Sequence, residues 1–108
     1  MAQPFIIEIE NNQIIKKTPI PADTDIVIGR SDKQSGYVVK PDSKISRAHC
    51  VLRYVSKVGL FLLTDISTNG TFLAEDNSRI VKNIPFTLYP DTSFFLADPR
   101  MMLKVTVE

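Results

Sequence analysis

Asp65-Ile66-Ser67-Thr68-Asn69-Gly70-Thr71-Phe72 sets hydroxyls, a carboxamide and a glycine between two apolar runs. A tight turn of this composition can hold backbone N–H groups, hydroxyls and a carboxamide rigidly at the rim of a sheet. That equipment grips an oxyanion or the main chain of an extended peptide, and performs no covalent chemistry by itself. Taken alone the stretch is ambiguous. Asn-Gly is the strongest short hairpin signal, because both residues tolerate positive φ. Asn69-Gly70-Thr71 also matches an N-glycosylation acceptor, although nothing in the sequence indicates secretion.

Outward from this turn, the chain is a succession of short apolar runs. Strands are expected at 5–9, 14–17, 25–28, 37–39, 50–55, 60–64, 71–73, 80–82, 86–88, 93–97 and 101–107. Several alternate, as in Val51-Leu52-Arg53-Tyr54-Val55, and β-branched and aromatic residues dominate them. Between them lie bend-forming clusters: Asn11-Asn12, Pro41-Asp42-Ser43, Asp76-Asn77-Ser78, Pro90-Asp91 and Asp98-Pro99. The prolines fall almost wholly between the runs, as sheets require. Many short strands at regular spacing predict an all-β antiparallel sandwich of about eleven strands. No segment shows a helical apolar period over a useful length, and no repeat or linker divides the chain.

The chain has 108 residues, enough for a single domain spanning 1–108. At whole-chain level its net charge of +1 does not suggest a strong basic face of the kind that binds nucleic acid. No apolar run approaches the length of a membrane span. Met1-Ala2-Gln3-Pro4 has neither the basic segment nor the apolar core of a secretory signal. Cys50 is the single cysteine, so no internal disulfide can form. A cytoplasmic setting is expected, with Cys50 as a small buried hydrophobe rather than a reactive thiol.

Two upstream segments complement the turn. Gly29-Arg30 ends the run Asp25-Ile26-Val27-Ile28, so the arginine projects from a strand end. A guanidinium is the preferred phosphate partner because its planar fork donates twice. The plainer reading is a surface arginine paired with Asp32 or Asp42. Lys44-Ile45-Ser46-Arg47-Ala48-His49 follows a turn and feeds the run at Val51. Ser46 can donate its hydroxyl to an anion, with Lys44 and Arg47 supplying positive charge beside it. His49 is the single histidine, which leaves a histidine metal site little to build on. It reads as a residue tying loops together.

In this order, Gly29-Arg30, Ser46-Arg47-Ala48-His49 and Ser67-Thr68-Asn69-Gly70-Thr71-Phe72 resemble the forkhead-associated (FHA) domain family, whose pattern is Gly-Arg, then Ser-x-x-His, then a Ser-x-Asn-Gly-type turn. The likeness covers nearly the whole chain. It implies an FHA-like sandwich of the SMAD/FHA type, commonly joined to other domains of a larger protein. It further implies binding of a phosphothreonine peptide by loops at one end. Arg30, Ser46, Thr68 and Lys44 would meet the phosphate, and Asn69 and Arg47 the peptide. Gly29, His49 and Gly70 would be structural, and the loop Ser31 to Gly36 would read residues following the phosphothreonine. No cofactor or metal is implied. The segment Leu73 to Arg79 and the turn Tyr89 to Ser93 depart from the family pattern in lacking the usual glycine.

Two other function classes compete. One is a phosphate-independent docking or assembly module on the same scaffold. The other is a hydrolase using Ser46 or Ser67 with His49 and Asp65, since triads need no fixed order in sequence. It lacks a G-x-S-x-G elbow, and the plainer reading of Asp65 is a turn-initiating acid that hydrogen-bonds nearby backbone. Nucleotide binding has no P-loop or G-x-G-x-x-G to rest on.

Overall fold

Alternation along two neighbouring strands sets the inside and outside of the molecule. In β5 (Cys50–Val55) residues Cys50, Leu52 and Tyr54 are buried, and in β6 (Leu60–Asp65) Phe61, Leu63 and Asp65. The antiparallel register puts Tyr54 opposite Phe61, Leu52 opposite Leu63 and Cys50 opposite Asp65. One face of the pair therefore enters the core, as period-2 patterning requires.

The structure is a computed structural model that describes residues 2–108. Its strands form two five-stranded sheets. In one, β5 and β6 join β3 (Ile26–Gly29), β4 (Tyr37–Val38) and β8 (Phe86–Leu88) in the order β4-β3-β5-β6-β8. The other orders β1 (Pro4–Glu10), β2 (Gln13–Pro19), β7 (Thr71–Leu73), β9 (Ser93–Leu96) and β10 (Met102–Val107) as β2-β1-β10-β9-β7. Every pairing is antiparallel except β3 with β4. Ile6, Ile28, Leu52, Phe61, Leu63, Phe94, Leu96, Leu103 and Val105 fill the space between the sheets without solvent exposure. The chain is an all-β sandwich.

Among the described residues ten strands form where about eleven were expected. The run at 80–82 makes only isolated bridges, Lys82 to Asp65 and neighbouring Arg79 to Phe72. Ile80 N–H donates to Thr71 of one sheet and Asn83 N–H to Asp65 of the other. The segment crosses between sheets with Ile80 buried, so neither sheet can extend along it. Asn69-Gly70 is likewise no hairpin turn. β6 and β7 lie in different sheets, so the stretch that links them is a crossover. The two departures from the family's glycine turns are met by residues that accept positive φ, Asn77 at 59° and Asp91 at 72°. No helix among the described residues is long and apolar enough to cross a membrane.

Cys50 pairs with both Ile28 and Asp65, and Thr71 pairs with Leu96. The end of β3, the start of β5, the end of β6, the start of β7 and the end of β9 thus meet at one end of the sandwich. The three sequence segments singled out above emerge there.

Candidate functional site

Arg30 follows directly on β3. Its backbone N–H donates to Ser46 O (3.2 Å), and its side-chain Nε donates to Ile45 O (2.6 Å). The guanidinium is thereby aimed by the segment that carries Ser46. Among the described residues its terminal nitrogens have no protein acceptor, and no carboxylate lies within 4.0 Å of it. The pairing with Asp32 or Asp42 that a surface arginine would make is not formed.

Ser46 faces the opposite loop. Its Oγ accepts the backbone N–H of Thr68 (3.2 Å), and Asn69 Nδ2 donates to Lys44 O (2.8 Å). Arg30, Ser46, Thr68 and Asn69 therefore converge. Thr68 and Asn69 are exposed and Arg30 and Ser46 half-buried, so their polar groups open to solvent together. Lys44 also belongs to this rim, but its Nζ points to Asp98 Oδ2 at 3.7 Å. Arg47 is exposed and unpaired among the described residues, while its carbonyl accepts Ser35 Oγ (2.6 Å) and Ser31 N–H (3.3 Å).

His49 lies beneath the rim, fully buried. Ser46 N–H donates to its Nδ1 (3.1 Å), and its Nε2 sits 2.8 Å from Gly70 O. A ring nitrogen that accepts carries no proton, so Nε2 is the donor and the imidazole is neutral. Burial lowers its pKa below the usual value, which favours the same state. One ring thus joins the Ser46 loop to the Thr68 loop.

The turn has its own internal frame. Asp65 Oδ1 accepts Ser67 N–H (3.0 Å), Ser67 Oγ (2.6 Å) and Thr71 Oγ1 (3.0 Å), and Ser67 Oγ accepts Gly70 N–H (2.7 Å). Asp65 Oδ2 accepts no hydrogen bond among the described residues; Arg79 Nη2 is 3.5 Å away. Gly70 has φ 98°, open to glycine and strained for other residues. At Gly29, a Cβ would lie 2.5 Å from Ser35 Oγ and collide with the Arg47 carbonyl.

The family model for the FHA domain matches residues 26–96. The chain belongs to the FHA domain family. Solved FHA structures share its fold. The MEK1 FHA domain superposes with a TM-score of 0.78 at 21% identity, over 99% of this chain and 89% of that one. The FHA domain of CT664 from Chlamydia trachomatis gives 0.80 at 16% identity, covering 96% of each chain. The N-terminal FHA domain of S. cerevisiae Rad53p, solved with a phosphothreonine peptide, gives 0.74 at 21% identity, over 97% and 91%. No curated protein matches the chain.

In this FHA domain the triad alternative finds no geometry. Both ring nitrogens of His49 are engaged by backbone groups, and Asp65 holds Ser67 rather than the histidine. Asp65 instead plays the part of a turn-initiating acid that the sequence also offered, accepting the backbone N–H and the hydroxyl of Ser67. Ser35, which pins the Arg47 carbonyl, carried no signal at all because a loop serine has no periodicity to mark it.

Proposed function

We propose that this FHA domain is a recognition module that binds a phosphothreonine in an extended segment of a partner protein. The observation that carries the reading is an Arg30 guanidinium whose terminal nitrogens have no acceptor among the described residues, held by the Ser46 segment close to the exposed Thr68-Asn69 turn. A phosphothreonine brings about −1.5 to −2 charges and three strong acceptors. Arg30 would take two phosphate oxygens through its terminal nitrogens, and Ser46 and Thr68 would donate to the third. Lys44 would leave Asp98 to add charge. The free Asn69 Oδ1 and the Arg47 side chain would hold the peptide beside the phosphate. Gly29, His49 and Gly70 would keep the two loops at this spacing. An unphosphorylated threonine would cover Arg30 without supplying an acceptor, so discrimination should be large. Phosphothreonine-bound FHA structures among the relatives support the reading. We infer further that the module works in the cytosol, joined to other domains.

Fluorescence anisotropy with a phosphothreonine peptide library, its unphosphorylated counterpart and an Arg30→Ala variant tests this. Removing one partner of such a charge pair costs about 2–5 kcal/mol, more than tenfold in Kd. Equal binding by the variant would remove Arg30 from the site.

A phosphate-independent docking role has one observation in its favour. Val81, Ile84, Phe86 and Tyr89 are exposed along the open edge at β8. A partner retained after phosphatase treatment and Arg30→Ala would favour that reading.

A further inference from the structure

A cleft of about 220 Å³ lies between the end of β1, the Lys40 to Ile45 segment and the turn before β10. It is larger than the roughly 150 Å³ that accommodates benzene in an engineered protein cavity. Its wall is shared with the site above. Lys44 and Ile45 line it, while the carbonyls of the same two residues hold Asn69 and Arg30. A peptide lying across Arg30 and Asn69 therefore passes beside its mouth.

The lining combines two chemistries. Ile15, Ile45, Met101 and Met102 give apolar wall. Glu8 gives a carboxylate that is only 7% exposed. Its Oε2 accepts the Tyr37 hydroxyl at 2.5 Å, and the nearest cation, Lys16 Nζ, is 3.9 Å away on a side chain 56% exposed. Lys40 is spent on Glu10 (3.1 Å), and Lys44 and Arg100 on Asp98 (3.7 and 3.1 Å). Four lining carboxylates face three lining cations; Glu8 has only the long contact with Lys16 from outside the lining, and Asp42 accepts the Lys44 backbone N–H (2.9 Å) but has no cation within 4.0 Å among the described residues.

We propose that this cleft is a specificity subsite for a lysine or arginine flanking the phosphothreonine. The proposal rests on the phosphothreonine reading above and names the residue class that reading leaves open. A long cationic side chain lays its methylenes along isoleucine and methionine while its head reaches a carboxylate. An apolar side chain would desolvate Glu8 further with no cation in return, and an acidic one would be repelled. The selectivity so assigned lies in the cleft rather than in the loop Ser31 to Gly36.

The test is a positional scan. Phosphothreonine peptides carry lysine, arginine, norleucine or glutamate at each flanking position in turn, and Kd is read by anisotropy for wild type, Glu8→Gln and Asp42→Asn. Glutamine at position 8 keeps an acceptor for Tyr37 and removes the charge. One position should favour lysine or arginine over norleucine by roughly tenfold. Each variant should shrink that preference and leave the norleucine peptide within about twofold of wild type. Should Glu8→Gln fail to fold by circular dichroism, Asp42→Asn on the surface loop carries the comparison. Phosphate-dependent binding with a flat scan, or a lysine preference undiminished in the variants, overturns the subsite and leaves the phosphothreonine reading standing. Binding indifferent to phosphate or to Arg30→Ala fails the reading itself, and the subsite with it.

Discussion

At the scale of single residues, the end of the sandwich is held by positions that tolerate no replacement rather than by those facing solvent. Gly29 is the clearest. A methyl group there meets the Arg47 carbonyl and Ser35 Oγ, and the first of these is backbone already fixed by hydrogen bonds from Ser31 and Ser35. Gly29→Ala should destabilise by about 1–3 kcal/mol or more, a fall of at least about 4 °C in Tm for a domain of this size. Thermal unfolding by circular dichroism reads this, and an unchanged Tm would mean the strand end relaxes freely. His49 makes a second residue-scale prediction. Burial lowers its folded pKa, with Asp65 opposing and Arg79 assisting. The unfolded chain then takes up the proton first as pH falls. The histidine's contribution is complete above about 6.5 and declines below it, by at most about 1.4 kcal/mol per pH unit. Asp98, held down to about 2 by Arg100, titrates far below this window. Urea midpoints should therefore fall between pH 7 and 5 in wild type and fall less in His49→Gln. A level wild-type profile would refute the assignment.

At the scale of elements, identical turn chemistry serves two different purposes. Asn11 and Asn12 have φ of 51° and 61°, the positive values a primed hairpin turn needs, and they join the paired strands β1 and β2. Glycine is the preferred second residue of such a turn. Asn12→Gly is expected to stabilise by about 0.5–1 kcal/mol, visible as a raised urea midpoint with unchanged slope. A lowered midpoint would show that the asparagine side chain matters more than its φ. Asn69-Gly70 has the stronger hairpin signature, yet it crosses between sheets. Local chemistry fixes that a bend occurs, whereas the sheet that receives the next strand depends on contacts remote in sequence. The same limit explains Ile80, whose apolar run reads as a strand but plugs the seam between sheets. Alternation in Cys50–Val55 was fully legible, because half-burial imposes period two wherever a sheet covers a core. The convergence of Arg30, Ser46 and Thr68 was legible only through family resemblance, since no local rule relates positions on three loops. The cleft beside Glu8 left no trace in sequence. Its wall comes from segments at both ends of the chain and from the middle.

At the scale of the whole molecule, the two sheets are coupled by polar as well as apolar contacts. Tyr37 of one sheet donates its hydroxyl to Glu8 of the other, and Cys50 sits fully buried between Asp65 and the core. Burial is the first cause pushing both acids above their ordinary values, followed for Tyr37 by its bond to Glu8 and for Cys50 by the Asp65 charge. The sign follows from linkage. A group whose folded pKa is raised stabilises fully below its unfolded pKa, and that stability is lost as pH climbs beyond it. Cys50 starts to cost stability above about 8.5 and Tyr37 above about 10. Stability should thus decline in two steps on the alkaline side, each approaching about 1.4 kcal/mol per pH unit. Urea midpoints at pH 7.5, 9.5 and 10.5 resolve them. Cys50→Ala should flatten the first interval, and Tyr37→Phe the rise in slope above pH 10. Tyr37→Phe should also cost about 1–3 kcal/mol at neutral pH, because it strips a donor from a buried carboxylate. Glu8→Gln should cost less, since its amide oxygen still accepts the Tyr37 hydroxyl. If both variants keep the wild-type alkaline profile, some other group governs base-induced unfolding, and the Tyr37–Glu8 bridge contributes contact between the sheets without coupling their stability to pH.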